Sequence, residues 1–515
     1  MEPRQGLRWK RRAGAAALIL AGCFNPRSDA MPAPAAENEI DRTLETITAQ
    51  DLYDRIAYLA SDTMRGRNTP SPGLEAAAAY VADQMRTFGL RPAGDSGTFV
   101  QRWPYTQTRL DLRRTSLQIM TADTTIRPAL ATDYFVIPGR EPTVSGSLHW
   151  GGAAETAMAP GWERGHVPVV YLAGTTPDSG WNARFAGAFA AAMFSGAPAV
   201  VIALAPSFDA ALFRQFAAQV GGEEAALYVI GMRFGAAAPI LARTGIDTAA
   251  LRTGAIIPPA PLGDASISLA IGRATEENRP PNVVGILAGS DPELRDEYVV
   301  VSAHIDHVGT GTPDAAGDSI FNGADDDASG TAVMLELAQA FAGLRNRPAR
   351  SLLFLAVSGE EKGLLGSAWF THNLPVPGEN IVANINLDMV GRNAPDTIVA
   401  IGQQYSSLGP LAQSVATLHP SLGLTVAADP WPEEQLFFRS DHFNFARIGV
   451  PALFVTTGLH ADYHQRSDEV DLIDTDKITR VARFLFRLTL EIATAPDRPT
   501  WTEEGRREVG AAIGR

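Results

Sequence analysis

The stretch EYVVVSAHIDHVG, residues 297–309, decides the fold. Three valines in a row running into polar residues describe a strand buried on both faces, as a parallel sheet requires. Downstream, NGADDDASGTAVMLELAQAFAGL (322–344) has the apolar spacing of an amphipathic helix, and RSLLFLAVSGEEKG (350–363) is a second apolar strand with a polar end. The alternation continues outward through EKGLLGSAWFTHNL as a helix, NIVANINLDMV as a strand, VPALFVTTG as a later strand and a closing helix over about 474–494. This βαβ rhythm predicts an α/β domain with a mixed, largely parallel sheet and helices on both faces. Ligands of such a sheet bind at the carboxyl ends of its strands.

Those ends carry the unusual residues. In chain order they are His304 and Asp306, Asp326, Glu360 and Glu361, Asp388, and finally His464 in DYHQRSDEVD. Carboxylates beside apolar runs are uncommon unless they are paired or hold a metal. Two imidazoles, several carboxylates and no thiolate suit zinc or a similar divalent ion. A two-metal hydrolase needs a bridging carboxylate, with one imidazole and one further carboxylate for each ion. It also needs a base that is not a ligand, and adjacent Glu360 and Glu361 can divide those jobs. Asp306 is placed to accept the second ring N–H of His304. Taken singly the motifs are weak, since DDD often caps a helix and paired glutamates often begin one. Their joint order carries the reading. His307 and His442 are read as supporting or rim residues. His149, His166, His372, His419 and His460 are read as core or surface. Trp431 and Phe437–Phe438 suit either a substrate pocket or core packing.

At 515 residues the chain is expected to form more than one domain. Its net charge of −14 offers no broad basic surface for nucleic acid. Residues 1–22 read as an export signal, with Arg4, Arg8, Lys10, Arg11 and Arg12 before the apolar run AGAAALILAG. That run is too short to span a bilayer. It ends at Cys23, the only cysteine, in LAGC, which resembles a bacterial lipobox. The expected location is therefore the cell envelope after export, lipid-anchored at Cys23, and no intramolecular disulfide can form. Residues 23–45 are expected to form a Pro/Ala-rich tether, 46–139 the N-terminal part of the main domain with two helices, and 140–260 a low-charge, β-rich insert. The catalytic domain is expected over 265–496, with 497–515 as a tail.

Residues 281–494 resemble the co-catalytic zinc exopeptidases of the bacterial aminopeptidase and glutamate carboxypeptidase type. The likeness runs through YVVVSAHIDHVG, NGADDDASG, SGEEKGLLGS, NINLDMVGR, SDHFNF and DYHQRSDEVDLID. The 140–260 insert is similar to a protease-associated domain. The resemblance implies two zinc ions per chain, with His304 and Asp388 on one, Glu361 and His464 on the other, and Asp326 bridging them. It further implies a cis peptide bond after Asp326, attack by a metal-bridging hydroxide, Glu360 as general base and Tyr463 as a donor to the oxyanion. The expected partner is a peptide substrate, and the insert is a candidate surface for a homodimer. An aminopeptidase is the leading reading. A carboxypeptidase or dipeptidase would need cations for the substrate carboxylate, with Arg392 and Arg439 as candidates. A one-zinc glutaminyl cyclase and a metal-free surface binding protein are less consistent with the full ligand series.

Overall fold

The computed structural model describes residues 34–512 apart from 138–142, 154–165, 312 and 315, and most of 175–195 and 209–226; residue 514 is also described. The main sheet is built from β1 (Pro281–Leu287), β2 (Tyr298–His304), β3 (Ser351–Val357), β4 (Ile381–Leu387), β5 (Thr397–Ile401), β6 (Thr425–Ala427) and β7 (Ala452–Thr456). Their spatial order is β1-β3-β2-β4-β7-β5-β6, with the short strands 91–92 and 100–102 beside β1. Pairings β3–β2, β2–β4 and β4–β7 are parallel, while β1 and β5 run antiparallel to their inner neighbours. The sheet is thus mixed, with a parallel centre.

Strand alternation divides the core. Val299, Val301, Leu352, Phe354, Ala383 and Ile385 face one cluster, shared with α1 (Pro34–Glu45), α2 (Ala49–Leu59), α3 (Pro72–Thr87), α4 (Gly330–Gly343) and the closing helix α8 (Thr475–Thr494). Val300, Leu353, Leu355 and Val357 face another, with Phe370 of α5 (Leu365–His372) and Phe445 of α7 (His442–Arg447). Both faces are therefore covered. The helix α6 (Leu408–Leu418) contributes Leu408, Ala412 and Val415 to the first cluster. Phe341 stacks on Phe486 at 4.3 Å, locking α4 to α8. No helix among the described residues is long and apolar enough to cross a membrane.

Two boundaries differ from expectation. Residues 34–45 are helical rather than a continuation of the tether: Ile40 and Leu44 pack on the core, and Arg487 pairs with Glu37 at 3.1 Å and Asp41 at 3.0 Å. The charged residues that suggested solvation are partners for α8. The remaining tether, the leader and Cys23 lie outside the described residues. The second sheet also begins earlier than residue 140. Strands 116–120, 125–126 and 134–137 pair with strands 143–153, 166–172, 199–204, 228–232 and 260–270 in one eight-stranded sheet. An antiparallel ribbon, Tyr105–Leu110 with Arg273–Asn278, leads into and out of it. Strand 116–120 buries only alternate residues, so its membership of this sheet is not announced by an apolar run. The helix expected at FAGAFAAAMFSG lies mostly outside the described residues.

The tail also orders. Residues 503–512 form α9, whose Val509 enters an aromatic cluster with Phe437 and Phe454.

Candidate metal centre

His304 is the last residue of β2, and the parallel register sets it beside Val357 of β3. Glu360 and Glu361 follow β3, and Asp388 follows β4, so the carboxyl ends converge on one rim. Asp326 reaches the rim from the turn before α4, and His464 from the loop after β7.

Within the DDD turn the three aspartates have different work. Asp327 accepts the amides of His304 at 3.1 Å, Gly330 at 2.9 Å and Met389 at 3.2 Å, tying two strand ends to the start of α4. Asp325 accepts the amide of Gly391 at 2.7 Å and lies 3.2 Å from His460 Nε2. Only Asp326 aims both oxygens into the cleft. Its Oδ1 is 3.2 Å from His304 Nε2, and its Oδ2 is 3.1 Å from His464 Nε2. The peptide bond after it is cis.

Two groups of potential ligands result, and they share Asp326: His304, Asp326 and Asp388 form one, and His307, Asp326, Glu361 and His464 the other. Asp388 Oδ1 lies 3.6 Å from His304 Nε2, and Glu361 Oε2 lies 3.1 Å from His464 Nε2. Burial disfavours charge on the His304 ring, but Asp388, Asp306 and Asp326 outweigh it and hold the pKa well above the ordinary value. His464 behaves alike: burial opposes its charge, but Asp326 and Glu361 raise it to about 10. Asp326 Oδ2, Glu361 Oε1 and both nitrogens of His307 are buried without a hydrogen-bond partner. Such atoms cost about 1–3 kcal/mol each when unpaired. Divalent cations would satisfy the two oxygens and His307 Nδ1 and neutralise the concentration of carboxylates, so the residues present fit a metal pair.

Hydrogen bonds behind the ligands fix them. A one-way relay runs from Asn384 to Ser302 (2.9 Å), to Asn386 (2.7 Å), to Ser440 (2.9 Å) and to Asp388 Oδ2 (2.8 Å). His304 Nδ1 meets the backbone carbonyl of Asp306 at 3.1 Å, with the carboxylate farther away at 3.7 Å. The expected role of the Asp306 carboxylate is therefore corrected. It instead accepts Thr69 Oγ1 at 2.8 Å and the Glu360 amide at 3.3 Å, holding the glutamate loop against the N-terminal part of the domain. The Asp306 carbonyl is simply the nearer acceptor.

The cleft above has a volume of about 460 Å³, lined by His304, Asp326, Glu360, Glu361, Asp388, Tyr463 and the apolar side chains Leu364, Met389, Leu436, Phe438, Phe454 and Leu459. Burial raises the Glu360 carboxyl well above its usual range, and Asp441, Asp388 and Glu361 add to the effect. Burial and four neighbouring carboxylates raise the Tyr463 hydroxyl far above its ordinary value, so it stays a donor; its ring stacks on His464 at 3.9 Å. Phe438 lines the cleft, whereas Phe437 is core, packed on Tyr405 and His442. Trp431 packs with that same cluster, against Gly458 at the cleft edge.

Of the residues singled out from the sequence, His304, Asp326, Glu360, Glu361, Asp388 and Tyr463 line one cleft, and His464 lies 3.1 Å from Asp326. The parts played by Ser440, Thr69 and Asp468 were not anticipated, and of the supporting or rim placement expected for His307 the rim is excluded, since the ring is fully buried beside Glu361. The H-x-D-H spacing was the signal for His307. His442, expected as a supporting or rim residue, is a buried core imidazole 5.1 Å from Phe454.

Residues 282–489 match the model of peptidase family M28. Over 259 residues the chain is 41% identical to a probable zinc metalloprotease of Pyricularia oryzae, covering 42% of this chain and 50% of that one. A probable zinc metalloprotease of Pyrenophora tritici-repentis is 28% identical over 259 residues, covering 42% and 58%. The chain therefore spans little more than half the length of these curated relatives. Among solved structures, an aminopeptidase from Aneurinibacillus sp. strain AM-1 shares the fold with a TM-score of 0.54 at 19% identity, covering 89% of this chain and 97% of that one.

Proposed function

With residues 282–489 belonging to peptidase family M28, we propose that the protein is a two-zinc aminopeptidase that removes N-terminal residues from peptides. The observation that carries this reading is the pair of ligand groups sharing Asp326 on the floor of one cleft, with Glu360 in its wall and outside both groups. His304, Asp326 and Asp388 would hold one ion, and Asp326, Glu361 and His464 the other. Zinc bound there supplies Lewis acidity toward the scissile carbonyl and the attacking water.

The chain's own groups do the rest. Glu360, with a raised pKa and no ligand duty, accepts the proton of the attacking water and delivers it to the leaving amine. Tyr463, held protonated, donates to the oxygen that gains charge. Leu436, Phe438, Phe454 and Leu459 give the cleft an apolar wall, which favours a peptide with an apolar terminal side chain.

The charge pattern favours a free amine over a free carboxylate. Arg392 donates to Asp462 at 2.7 Å and does not line the cleft. Arg439 lines it, but pairs with Glu434 at 2.8 Å. The lining of the cleft therefore offers no unpaired arginine to a substrate carboxylate, and its own carboxylates are committed to the metal positions and to proton transfer. Export and lipid anchoring at Cys23 belong to the same proposal, supported by the basic leader and LAGC.

The test uses protein beginning at about residue 30, its zinc content and a panel of free-amine and N-acetylated peptides. Two zinc per chain with cleavage of free-amine peptides alone is the expected result. Cleavage of blocked peptides from the C-terminus would replace the aminopeptidase with a carboxypeptidase. Absence of both zinc and turnover would remove the enzyme reading.

A further inference from the structure

Resting on the two-metal reading above, we propose that His307 is a further ligand, through Nδ1, of the ion held by Glu361 and His464. That position would then have two imidazoles and two carboxylates, against one imidazole and two carboxylates at the His304–Asp388 position.

Burial leaves one imidazole of the cluster without a hydrogen-bond partner. His307 is fully buried, and neither ring nitrogen has a hydrogen-bond partner. Its Nδ1 lies 2.9 Å from Glu361 Oε1 and 3.6 Å from Asp326 Oδ2, and both of those oxygens also lack a hydrogen-bond partner. The donor atoms of His307, Asp326, Glu361 and His464 all lie within 4.8 Å of one another. Three separate chain segments thus aim unsatisfied atoms at one point. Nδ1 and Oε1 approach to 2.9 Å while both also turn toward the shared Asp326 Oδ2 and His464, as two donors to one ion would.

The surroundings are built to put the ring there. Gly323 has φ 59°, and a Cβ on it would sit 2.6 Å from the His307 ring, so any larger residue would displace the imidazole. Arg67, itself buried, donates to the carbonyls of Ile305 at 2.9 Å and Gly323 at 2.9 Å, clamping the backbone on both sides of the ring. The ring of His464 faces that of His307 edge-on at 5.6 Å between centroids, leaving space for both to present a nitrogen.

The consequence is an unequal metal pair. Imidazole nitrogen favours zinc, cobalt and nickel over harder ions, so the His307 position fills first and the other second. The experiment is calorimetric titration of zinc into metal-free full chain, with X-ray absorption at one and two equivalents. Wild type is expected to show a tight and a weak class, with two histidines around zinc at one equivalent. In His307→Ala the tight class should weaken by more than the ~10–100-fold that loss of an outer partner gives, and the histidine count should fall to one. His307→Gln guards against misfolding of the alanine variant, and the wild-type histidine count stands whatever the variants do. A count averaging one histidine per zinc at two equivalents, or unchanged affinities in a folded variant, overturns the His307 ligand and leaves the aminopeptidase intact. No zinc binding by wild type overturns both.

Discussion

The Asp468 carboxylate accepts the backbone amide of Asp326 at 3.1 Å, so a residue 142 positions away holds the turn that carries the shared ligand. The same carboxylate accepts the amide of Asp325 at 3.0 Å. On the proposed two-metal reading, Asp468 supports both positions at once, whereas Ser440 supports only the one containing Asp388. Asp468→Ala should weaken both zinc affinities by about 10–100-fold, and Ser440→Ala only one of them by a similar factor. Zinc titration against a competing chelator reads both classes. An equal effect of Ser440→Ala on the two classes would contradict this division.

Glu360 belongs to neither ligand group, although its neighbour Glu361 belongs to one. Glu360→Gln preserves shape and removes the proton acceptor. It should lower kcat by about 10²–10⁴-fold while zinc content and KM change little. Loss of zinc together with activity would instead make Glu360 a ligand.

The hydroxyl of Tyr463 is held as a donor by the carboxylates around it. Tyr463→Phe keeps the stacking on His464 and deletes only that donor. A fall in kcat of about 10²-fold with unchanged KM is expected for a group acting only when charge develops. A change confined to KM would assign Tyr463 to substrate binding.

What could be read from sequence followed physical range. His304, Glu361 and Asp388 announce themselves because each breaks an apolar strand at its end, a local signal. The choice of Asp326 among three aspartates depends on where Asp325 and Asp327 send their oxygens, toward Gly391, Met389 and His304. Those partners are remote in the chain, so spacing alone does not select it. Ser440, Thr69 and Asp468 are ordinary polar residues whose importance comes wholly from what folding brings against them. The sheet of the insert was partly hidden for a related reason. Strand 116–120 carries only Leu117 and Ile119 inward, and its partner at 260–270 is far along the chain.

Arg67 has a relative exposure of 1% and donates to four carbonyls, those of Leu59, Ile305, Asn322 and Gly323. Desolvation pulls its pKa down, and the carboxylates of Asp326, Asp327, Asp468 and Asp306 pull it back. Replacing it with methionine keeps much of the volume but strands those carbonyls and removes the charge facing the aspartates. Arg67→Met should cost at least about 3 kcal/mol, since each unpaired buried group costs ~1–3 kcal/mol. Urea unfolding of metal-free protein measures this directly. A loss below about 1 kcal/mol would show that solvent reaches the freed carbonyls.

His442 sits between Phe437 at 4.9 Å and Phe454 at 5.1 Å, and burial pushes its pKa down to about 3. The folded state therefore holds a neutral imidazole, while the unfolded chain takes up a proton below about 6.5. The contribution is complete above pH 6.5 and is lost progressively as pH falls toward 3. At ~1.4 kcal/mol per unit, about 2 kcal/mol disappears between pH 6.5 and pH 5. His442→Leu keeps an apolar side chain against both aromatic rings but cannot bind the proton. Urea midpoints at the two pH values should therefore fall less in the variant than in wild type, by the equivalent of that 2 kcal/mol. All other titrating groups, the metal ligands included, are common to both proteins and cancel in the comparison. Parallel losses would mean that His442 gains a solvating partner on protonation and the folded pocket tolerates the charge.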